Sequence, residues 1–175
     1  GLSGPGAIFG HAIYLTKRER TAIRDSGSAI AHCPTSNTFI GSGLFDMEGL
    51  RDIDQPVSVG LATDVAGGTS LSMFATMRSA YEVAQLKGYS LHPAKAWYLA
   101  TVGSARAMRL EDRIGNLAPG MEADIAVIDL TSTPLIERRM AGAESLWDAL
   151  FAQIILADDR AVRSVYVAGN SVKST

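Results

Sequence analysis

The sequence predicts an α/β fold in which parallel βα units are followed by a smaller, mainly β region. Short apolar strands alternate with helix-favouring stretches through the first 110 residues, a pattern typical of parallel βα units. After Leu110 the pattern changes to short strands around Pro-Gly and Ala-Gly turns. We therefore predict a boundary near Leu110, between a βα region (residues 1–110) and a mainly β region (residues 111–175).

The first predicted unit begins with an apolar run over residues 7–15, interrupted by His11. Such a run is typical of a buried strand. A helix is expected over residues 16–25, because Thr16 and Glu19 have the spacing of a capping box. The dipeptide Ser26-Gly27 should end this helix.

The second and third units repeat the pattern. A short strand is expected over residues 28–32, a turn-rich loop over residues 33–37 and a short helix over residues 44–51. The third strand, over residues 57–63, ends at Asp64 and is followed by the small residues Val-Ala-Gly-Gly.

Helices dominate the next part of the chain. Apolar residues at helical spacing predict one helix over residues 70–87, and Pro93 is well placed to begin another that runs to about Met108. Beyond the predicted boundary we expect strands over residues 114–117 and 123–129, a helix over residues 145–156 and a strand pair over residues 164–172.

Composition excludes several classes of protein. With 175 residues, 47% of them apolar, the chain can form one good core and at most a small second one. The formal charge of −2, without a long basic block, argues against nucleic acid or an anionic membrane as partner. The one cysteine, Cys33, excludes a disulfide framework and fits a reducing cytoplasm. No apolar stretch is long enough to span a bilayer. The chain begins with Gly1 rather than methionine, so we expect it to be a piece of a longer protein.

Asp64 is the strongest candidate for a functional residue. It follows a buried strand at its carboxyl end, where α/β folds place their chemistry; the alternative is a cap for the next helix. His11 interrupts an apolar run, which suits a core histidine as well as a site residue. His32 ends its strand just as Asp64 ends its own, and this coincidence favours a site.

Other polar residues have simpler interpretations. His92 is expected only to begin a helix. Cys33 has no second thiol, so a zinc–cysteine site or a redox pair is not expected. Asp158 and Asp159 are expected to lie in a solvated turn. The residues by themselves therefore predict a βα enzyme piece with a candidate metal or polar site at its strand ends.

Three segments follow one another along the chain in an order that indicates a known family. They are Gly-His-Ala-Ile-Tyr-Leu at 10–15, Ala-His-Cys-Pro-Thr-Ser-Asn at 31–37 and Ala-Thr-Asp-Val-Ala-Gly-Gly at 62–68. They resemble the last three barrel strands of the amidohydrolase superfamily. Residues 99–101, 104–105 and 114–124 resemble its return from the barrel to a small β-sandwich. Within the superfamily, Gly-Ser-Gly-Leu-Phe-Asp at 41–46 and Ala-Asp-Asp-Arg-Ala-Val at 157–162 resemble the guanine deaminases in particular.

The resemblance implies the last three βα units of a distorted TIM (β/α)8 barrel, plus part of a β-sandwich. It implies a hydrolase that converts guanine to xanthine with a zinc or iron ion at the strand ends. By the same resemblance, Asp64 would bind the metal and relay a proton, and His11 would face the attacking water or the substrate. The segment that contains His32, Ser36 and Asn37 would line the substrate pocket.

The chain also departs from the family pattern. It contains no His-x-His pair and no His-x-x-Glu sequence, so the other metal ligands and the proton-shuttling glutamate of the family are missing. A full barrel needs about 250 residues, and a zinc site needs more ligands than Asp64 alone. We therefore expect an inactive carboxy-terminal portion that binds no metal by itself, with an open sheet edge.

Three alternatives stay open at this point. The chain could come from the cytoplasmic, dimeric guanine deaminase that the resemblance implies. The alternative is another nucleobase deaminase, or a triazine hydrolase or chlorohydrolase, of the same superfamily. A third alternative is a non-catalytic oligomerisation module.

Overall fold

The computed structural model describes residues 1–50 and 56–174, which contain two three-stranded sheets and seven α-helices. In the βα region the order is β1 Ile8–Gly10, α1 Lys17–Asp25, β2 Ala29–His32, α2 Pro34–Phe39, β3 Ser58–Leu61, α3 Met73–Leu86, α4 Pro93–Ala100 and α5 Val102–Ala107. The rest comprises β4 Ile125–Ile128, α6 Pro134–Met140, α7 Leu146–Leu156, a 3-10 helix Asp159–Ala161, β5 Val162–Val167 and β6 Asn170–Ser174. No helix in the described part is long and apolar enough to cross a membrane.

The first sheet is parallel, in the order β1-β2-β3, which confirms the predicted α/β class. Because the strands are parallel, their carboxyl ends meet at one edge of the sheet. Strand β1 lies at the outside of this sheet, and its Ile8 and Phe9 are 42% and 37% exposed. The predicted open edge is therefore present at β1 in the part of the chain that the structure describes.

Helix α5 packs directly on β3, because Gly60 leaves room for it. A Cβ atom on Gly60 would lie 2.8 Å from the Cα atom of Ser104. The hydroxyl of Ser104 donates to the carbonyl oxygens of Leu61 and Leu99, at 3.2 and 2.8 Å. This contact holds the third strand, and with it the start of the Asp64 segment, against the helical layer.

One hydrophobic cluster spans both sides of the predicted boundary. Ile30 and Met77 come before Leu110, whereas Ile136 and Ile154 come after it, and all four belong to the same buried cluster. The parallel sheet lies wholly before Leu110 and the antiparallel sheet β4-β5-β6 wholly after it. The division into two domains remains a prediction.

Several local expectations are confirmed. The capping box of α1 is present: the hydroxyl of Thr16 accepts from the backbone N–H of Glu19, whose carboxylate accepts from the N–H of Thr16 at 2.7 Å. His92 caps α4, and its Nδ1 accepts from the N–H of Ala94. Strands β5 and β6 form the predicted pair.

Other expectations were wrong. Residues 33–37 form most of helix α2 rather than a loop, since Pro34 occupies the first helical position, where a missing N–H costs nothing. The first strand ends at Gly10 because His11 and Ala12 have φ angles of +67° and +51°. The helix predicted from Pro93 breaks at Thr101, whose φ and ψ are −126° and −100°.

Two further corrections concern turns. Residues 114–117 form a bend instead of a strand, since Gly115 has φ +91° and a Cβ there would lie 2.9 Å from Ala105 Cβ. Residues 44–50 also lack a helix, and residue 51 of that predicted helix lies outside the described residues. The expectation of a solvated turn at Asp158 and Asp159 needs no correction: Asp158 caps a single 3-10 turn and pairs with Arg160 at 2.7 Å.

Candidate active site

The carboxyl edge of the parallel sheet brings His11 and Asp64 together. His11 follows β1 directly, and Asp64 lies three residues beyond the end of β3. The Nε2 atom of His11 is 3.7 Å from Oδ2 of Asp64, and the two side chains are 43% and 41% exposed. The two strongest candidates from the sequence therefore form one solvent-accessible pair.

Both residues have left-handed backbone conformations. The φ angle is +67° at His11 and +47° at Asp64, a region that costs a residue with a Cβ atom of order 1–3 kcal/mol and is common at functional sites. Helix α3 begins only at Met73, with Ser72 as its N-cap. The alternative of Asp64 as the cap of that helix is therefore wrong.

Asn37 sets the orientation and the tautomer of the His11 ring. The Nδ1 atom of His11 is 2.8 Å from Oδ1 of the buried Asn37. Because the partner is a carbonyl oxygen, Nδ1 donates this hydrogen bond, and in the neutral ring the lone pair is therefore on Nε2. That lone pair is on the nitrogen nearest Asp64, where it can accept a proton or bind a cation.

Cys33 completes a cluster of three donors. Its sulfur, one ring nitrogen of His11 and one carboxylate oxygen of Asp64 all lie within 4.8 Å of one another. Burial raises the pKa of the Cys33 thiol, the backbone N–H of His11 opposes this, and the charge of Asp64 raises it further. Sequence reasoning set Cys33 aside for want of a second thiol. Its place next to His32 at the end of β2 was the signal that could have included it.

The structure does not bring His32 into this cluster. Its ring is 1% exposed and stacks on Phe45, with ring centroids 4.2 Å apart and planes inclined by 18°. Burial lowers the pKa of His32 to about 3, so the ring is neutral at physiological pH. Its Nδ1 has no partner among the described residues.

Ser36 and Asn37 supply buried polar atoms beside the cluster. Ser36 Oγ and Asn37 Nδ2 have no hydrogen-bond partner among the described residues. A Cβ on Gly67 would lie 2.8 Å from Ser36 Oγ and 3.2 Å from Asp64 Oδ2. The Ser36 hydroxyl and the Asp64 carboxylate therefore both lie against the backbone of Gly67. Unpaired buried polar groups cost about 1–3 kcal/mol each and are rare without a role.

The donors fit a divalent metal. Among the described residues, the one ion pair of the Asp64 carboxylate is with His11, and the neutral His11 ring presents a lone pair on Nε2. Nitrogen, oxygen and sulfur donors of this kind are typical ligands of zinc. The pair lies at the carboxyl ends of parallel strands, the position at which barrel enzymes carry their chemistry.

The model of the amidohydrolase family matches residues 1–172. The chain belongs to the amidohydrolase family. Over 172 residues this amidohydrolase is 42% identical to the guanine deaminase of Escherichia coli strain K12, an alignment that covers 98% of the chain and 39% of that relative. The chain thus spans well under half the length of the curated relatives that it matches.

Solved structures agree with this assignment. The structure of the E. coli guanine deaminase matches this amidohydrolase with a TM-score of 0.97. The match covers all of this chain and 40% of the E. coli chain. The guanine deaminase of Bradyrhizobium japonicum has a TM-score of 0.88 at 29% identity, over 99% and 43% of the two chains. An adenosine deaminase of Xanthomonas campestris with bound zinc has a TM-score of 0.83 at 27% identity, over 99% and 38%. The chain is therefore part of an amidohydrolase domain.

Proposed function

We propose that the chain is the carboxy-terminal portion of a metal-dependent guanine deaminase, which converts guanine and water to xanthine and ammonia. The observation that carries the proposal is the His11–Asp64 pair, with Nε2 and Oδ2 3.7 Å apart at the carboxyl edge of a parallel sheet. The 42% identity to the E. coli guanine deaminase supports guanine as the substrate. The three parallel βα units would be the last three of a TIM barrel, and the sheet β4-β5-β6 would be part of a β-sandwich.

Asp64 is the proposed metal ligand of this chain, and zinc or iron is the proposed metal. When bound, such an ion would bring the pKa of a coordinated water to about 7 and so supply a nucleophile at neutral pH. Asp64 would accept a proton at its carboxylate and pass it on, since its side chain is exposed and free of other hydrogen bonds among the described contacts.

His11 would act through Nε2. Because Asn37 holds the proton on Nδ1, Nε2 is free to accept a hydrogen bond from the attacking water or a proton during the reaction. The imidazolium that results would be stabilised by the carboxylate of Asp64. In the overall reaction a C–O bond replaces the C–N bond to the amino group of guanine, and a proton from water ends on the departing ammonia.

The unpaired atoms of Ser36 and Asn37 are proposed to meet the polar edge of the purine. Both residues are buried in α2, and both have a side-chain atom without a partner in the described part of the chain. His32 stays a predicted pocket residue; buried and stacked on Phe45, it would contribute a neutral ring. The buried His32 ring would mainly stabilise the first turn of α2.

We also propose that residues 1–175 have no deaminase activity alone, because the His-x-His pair, a further histidine and the shuttling glutamate of the family are absent from them. The intact enzyme is expected to be a cytoplasmic dimer. A deaminase of another purine is the second candidate, favoured by the fold match to the zinc-bound adenosine deaminase at 27% identity.

The test is a substrate panel. The gene product that contains residues 1–175 is assayed for ammonia release with guanine, adenine, adenosine and a chlorotriazine, and for xanthine by chromatography. We expect xanthine from guanine as the dominant product. Turnover of another substrate without xanthine would overturn the guanine assignment, and activity of residues 1–175 alone would overturn the proposal that they are inactive.

A further inference from the structure

We propose that helix α2 positions both members of the His11–Asp64 pair for the reaction. Asn37 holds the ring of His11. Thr35 holds the backbone that leads into Asp64, and both are positioning residues that act through the pair. That the pair contains the reacting groups rests on the proposed function, whereas the two contacts are properties of the 175-residue chain itself.

The first turn of α2 lies between the two strand ends that carry the pair. Helix α2 follows β2 almost directly, and β2 is the middle strand of the parallel sheet. Residues 34–37 of the helix are buried, so their side chains have little room to change rotamer. One short helix can therefore reach the segment after β1 with one side chain and the segment after β3 with another.

Asn37 reaches the segment after β1. Its Oδ1 lies 2.8 Å from Nδ1 of His11, and the residue is 1% exposed. The backbone of Asn37 is itself fixed, because its N–H donates to the carbonyl oxygen of Cys33 and its own carbonyl accepts from the N–H of Ser42, both at 2.9 Å. A free histidine in water favours the tautomer with the proton on Nε2. Asn37 selects the other tautomer.

Thr35 reaches the segment after β3. Its buried hydroxyl donates to the carbonyl oxygen of Thr63, at 3.3 Å. Because a peptide group is planar, that oxygen lies in one plane with the N and Cα atoms of Asp64. A hydrogen bond to the oxygen therefore fixes the direction in which Asp64 leaves the strand. Gly68 allows the close approach, since a Cβ atom there would lie 3.0 Å from Oγ1 of Thr35.

The pair needs such support. His11 and Asp64 both have left-handed φ angles, which persist only where the surrounding structure holds them. Both side chains are also more than 40% exposed, so packing alone does not fix them. A displacement of about 1 Å can lower a rate by about 10²-fold. The two contacts from α2 therefore determine how well the pair is aligned.

The first test is NMR of the 175-residue chain with isotopically labelled histidine nitrogens, at alkaline pH and without added metal, where imidazole rings are neutral. The two ring nitrogens differ strongly in chemical shift, which gives the tautomer, and H11Q identifies the signals of His11. We expect the proton on Nδ1. Asn37→Leu should move it to Nε2, whereas Asn37→Asp keeps an oxygen acceptor and should leave it on Nδ1.

Thr38→Val is the matched control in the same helix. Among the described residues, the Thr38 hydroxyl donates to the carbonyl oxygens of Pro34 and Thr35 within α2, so its loss should not change the tautomer of His11. Circular dichroism checks that each variant is folded. A proton on Nε2 in the unchanged chain would overturn the role of Asn37 without any variant, and so would an unchanged tautomer in folded N37L.

The second test is backbone NMR relaxation of the same chain. The order parameter of Asp64 should be about 0.85, as in rigid backbone, and Thr35→Val should lower it towards about 0.6. Thr35→Ser keeps the hydroxyl and should restore the higher value, and T38V again serves as control. An order parameter that T35V leaves unchanged would overturn the role of Thr35.

Kinetics of the intact enzyme then measure the consequence. T35V should lower kcat by about threefold to tenfold, the equivalent of one hydrogen bond, with KM changed by less than about twofold. T35S should restore kcat. An unchanged kcat in T35V would overturn the positioning role of Thr35. Failure of the intact enzyme to release xanthine from guanine would instead overturn the proposed function and leave both NMR results as they are.

Discussion

The ring of His11 and the carboxylate of Asp64 face each other at 3.7 Å although they belong to different βα units. Their meeting depends on the register of three parallel strands, because β2 lies between the strands that carry them. Asn37, from the helix after β2, fixes the ring from the other side at 2.8 Å. Each of the three units thus contributes one member of the arrangement.

Asp64→Asn in the intact enzyme should lower kcat by about 10²- to 10⁴-fold, because an amide cannot relay a proton. Stability should change by no more than about 0.5 kcal/mol, since the side chain is exposed and asparagine tolerates a left-handed φ. Steady-state kinetics and thermal denaturation measure the two effects, with D112N as control. Near-normal turnover would remove Asp64 from the mechanism.

His11→Ala in the intact enzyme should lower kcat by about 10²-fold with the metal retained. The resemblance to the family implies further metal ligands in the intact enzyme. His11 is therefore expected to serve proton transfer and not to hold the metal ion. Elemental analysis and kinetics on the same sample separate these roles. His92→Ala is the matched control; loss of metal in H11A would instead make His11 a ligand of the intact site.

His32 should make stability depend on pH. Its pKa is lowered by burial to about 3 in the folded chain, against about 6.5 when unfolded. Between these values the unfolded state binds more protons, so the free energy of unfolding is full above pH 6.5 and falls as the pH drops, by up to about 1.4 kcal/mol per unit. Urea unfolding at about pH 7.5, 6.0 and 5.0 should show this slope, and His32→Gln should flatten it. An unchanged slope in H32Q would contradict a buried neutral His32.

Gly60→Ala should destabilise the chain by about 1–3 kcal/mol, because the new methyl group would meet the backbone of Ser104 at 2.8 Å. Gly10→Ala is the matched control: it changes another strand glycine of the same sheet, where a Cβ meets no atom within 4 Å among the described residues. Chemical denaturation compares the two. Equal effects would show that the contact between α5 and β3 is not tight.

The open edge at β1 should cause the 175-residue chain to associate. Unpaired backbone groups and the exposed rings and methyl groups of Phe9 and Ile8 favour pairing with another chain. Size-exclusion chromatography with light scattering should show oligomers that Phe9→Lys reduces. Tyr14→Lys, a change at another exposed aromatic residue, serves as control. A compact monomer for the unchanged chain would contradict this prediction.

The sequence by itself determined the strands of both sheets and the helices that begin near Lys17, Met73 and Pro93, since apolar runs, the Thr16–Glu19 capping box and the helix start at Pro93 are local patterns. It also placed Asp64 at a strand end, and the order of three motifs identified the family. Where local signals compete, it was less reliable: Pro34 was taken as part of a loop although it begins α2, and the break at Thr101 has no marker in the chain.

Only the tertiary structure decided which side chains meet. His32, the last residue of β2, is buried on Phe45, whereas Cys33, the N-cap of α2, joins His11 and Asp64. The hydrogen bond from His11 to Asn37 likewise depends on how α2 packs beside β1. Contacts of this kind follow from strand register and helix packing, which act between segments far apart in the chain and leave no periodic signal within any one of them.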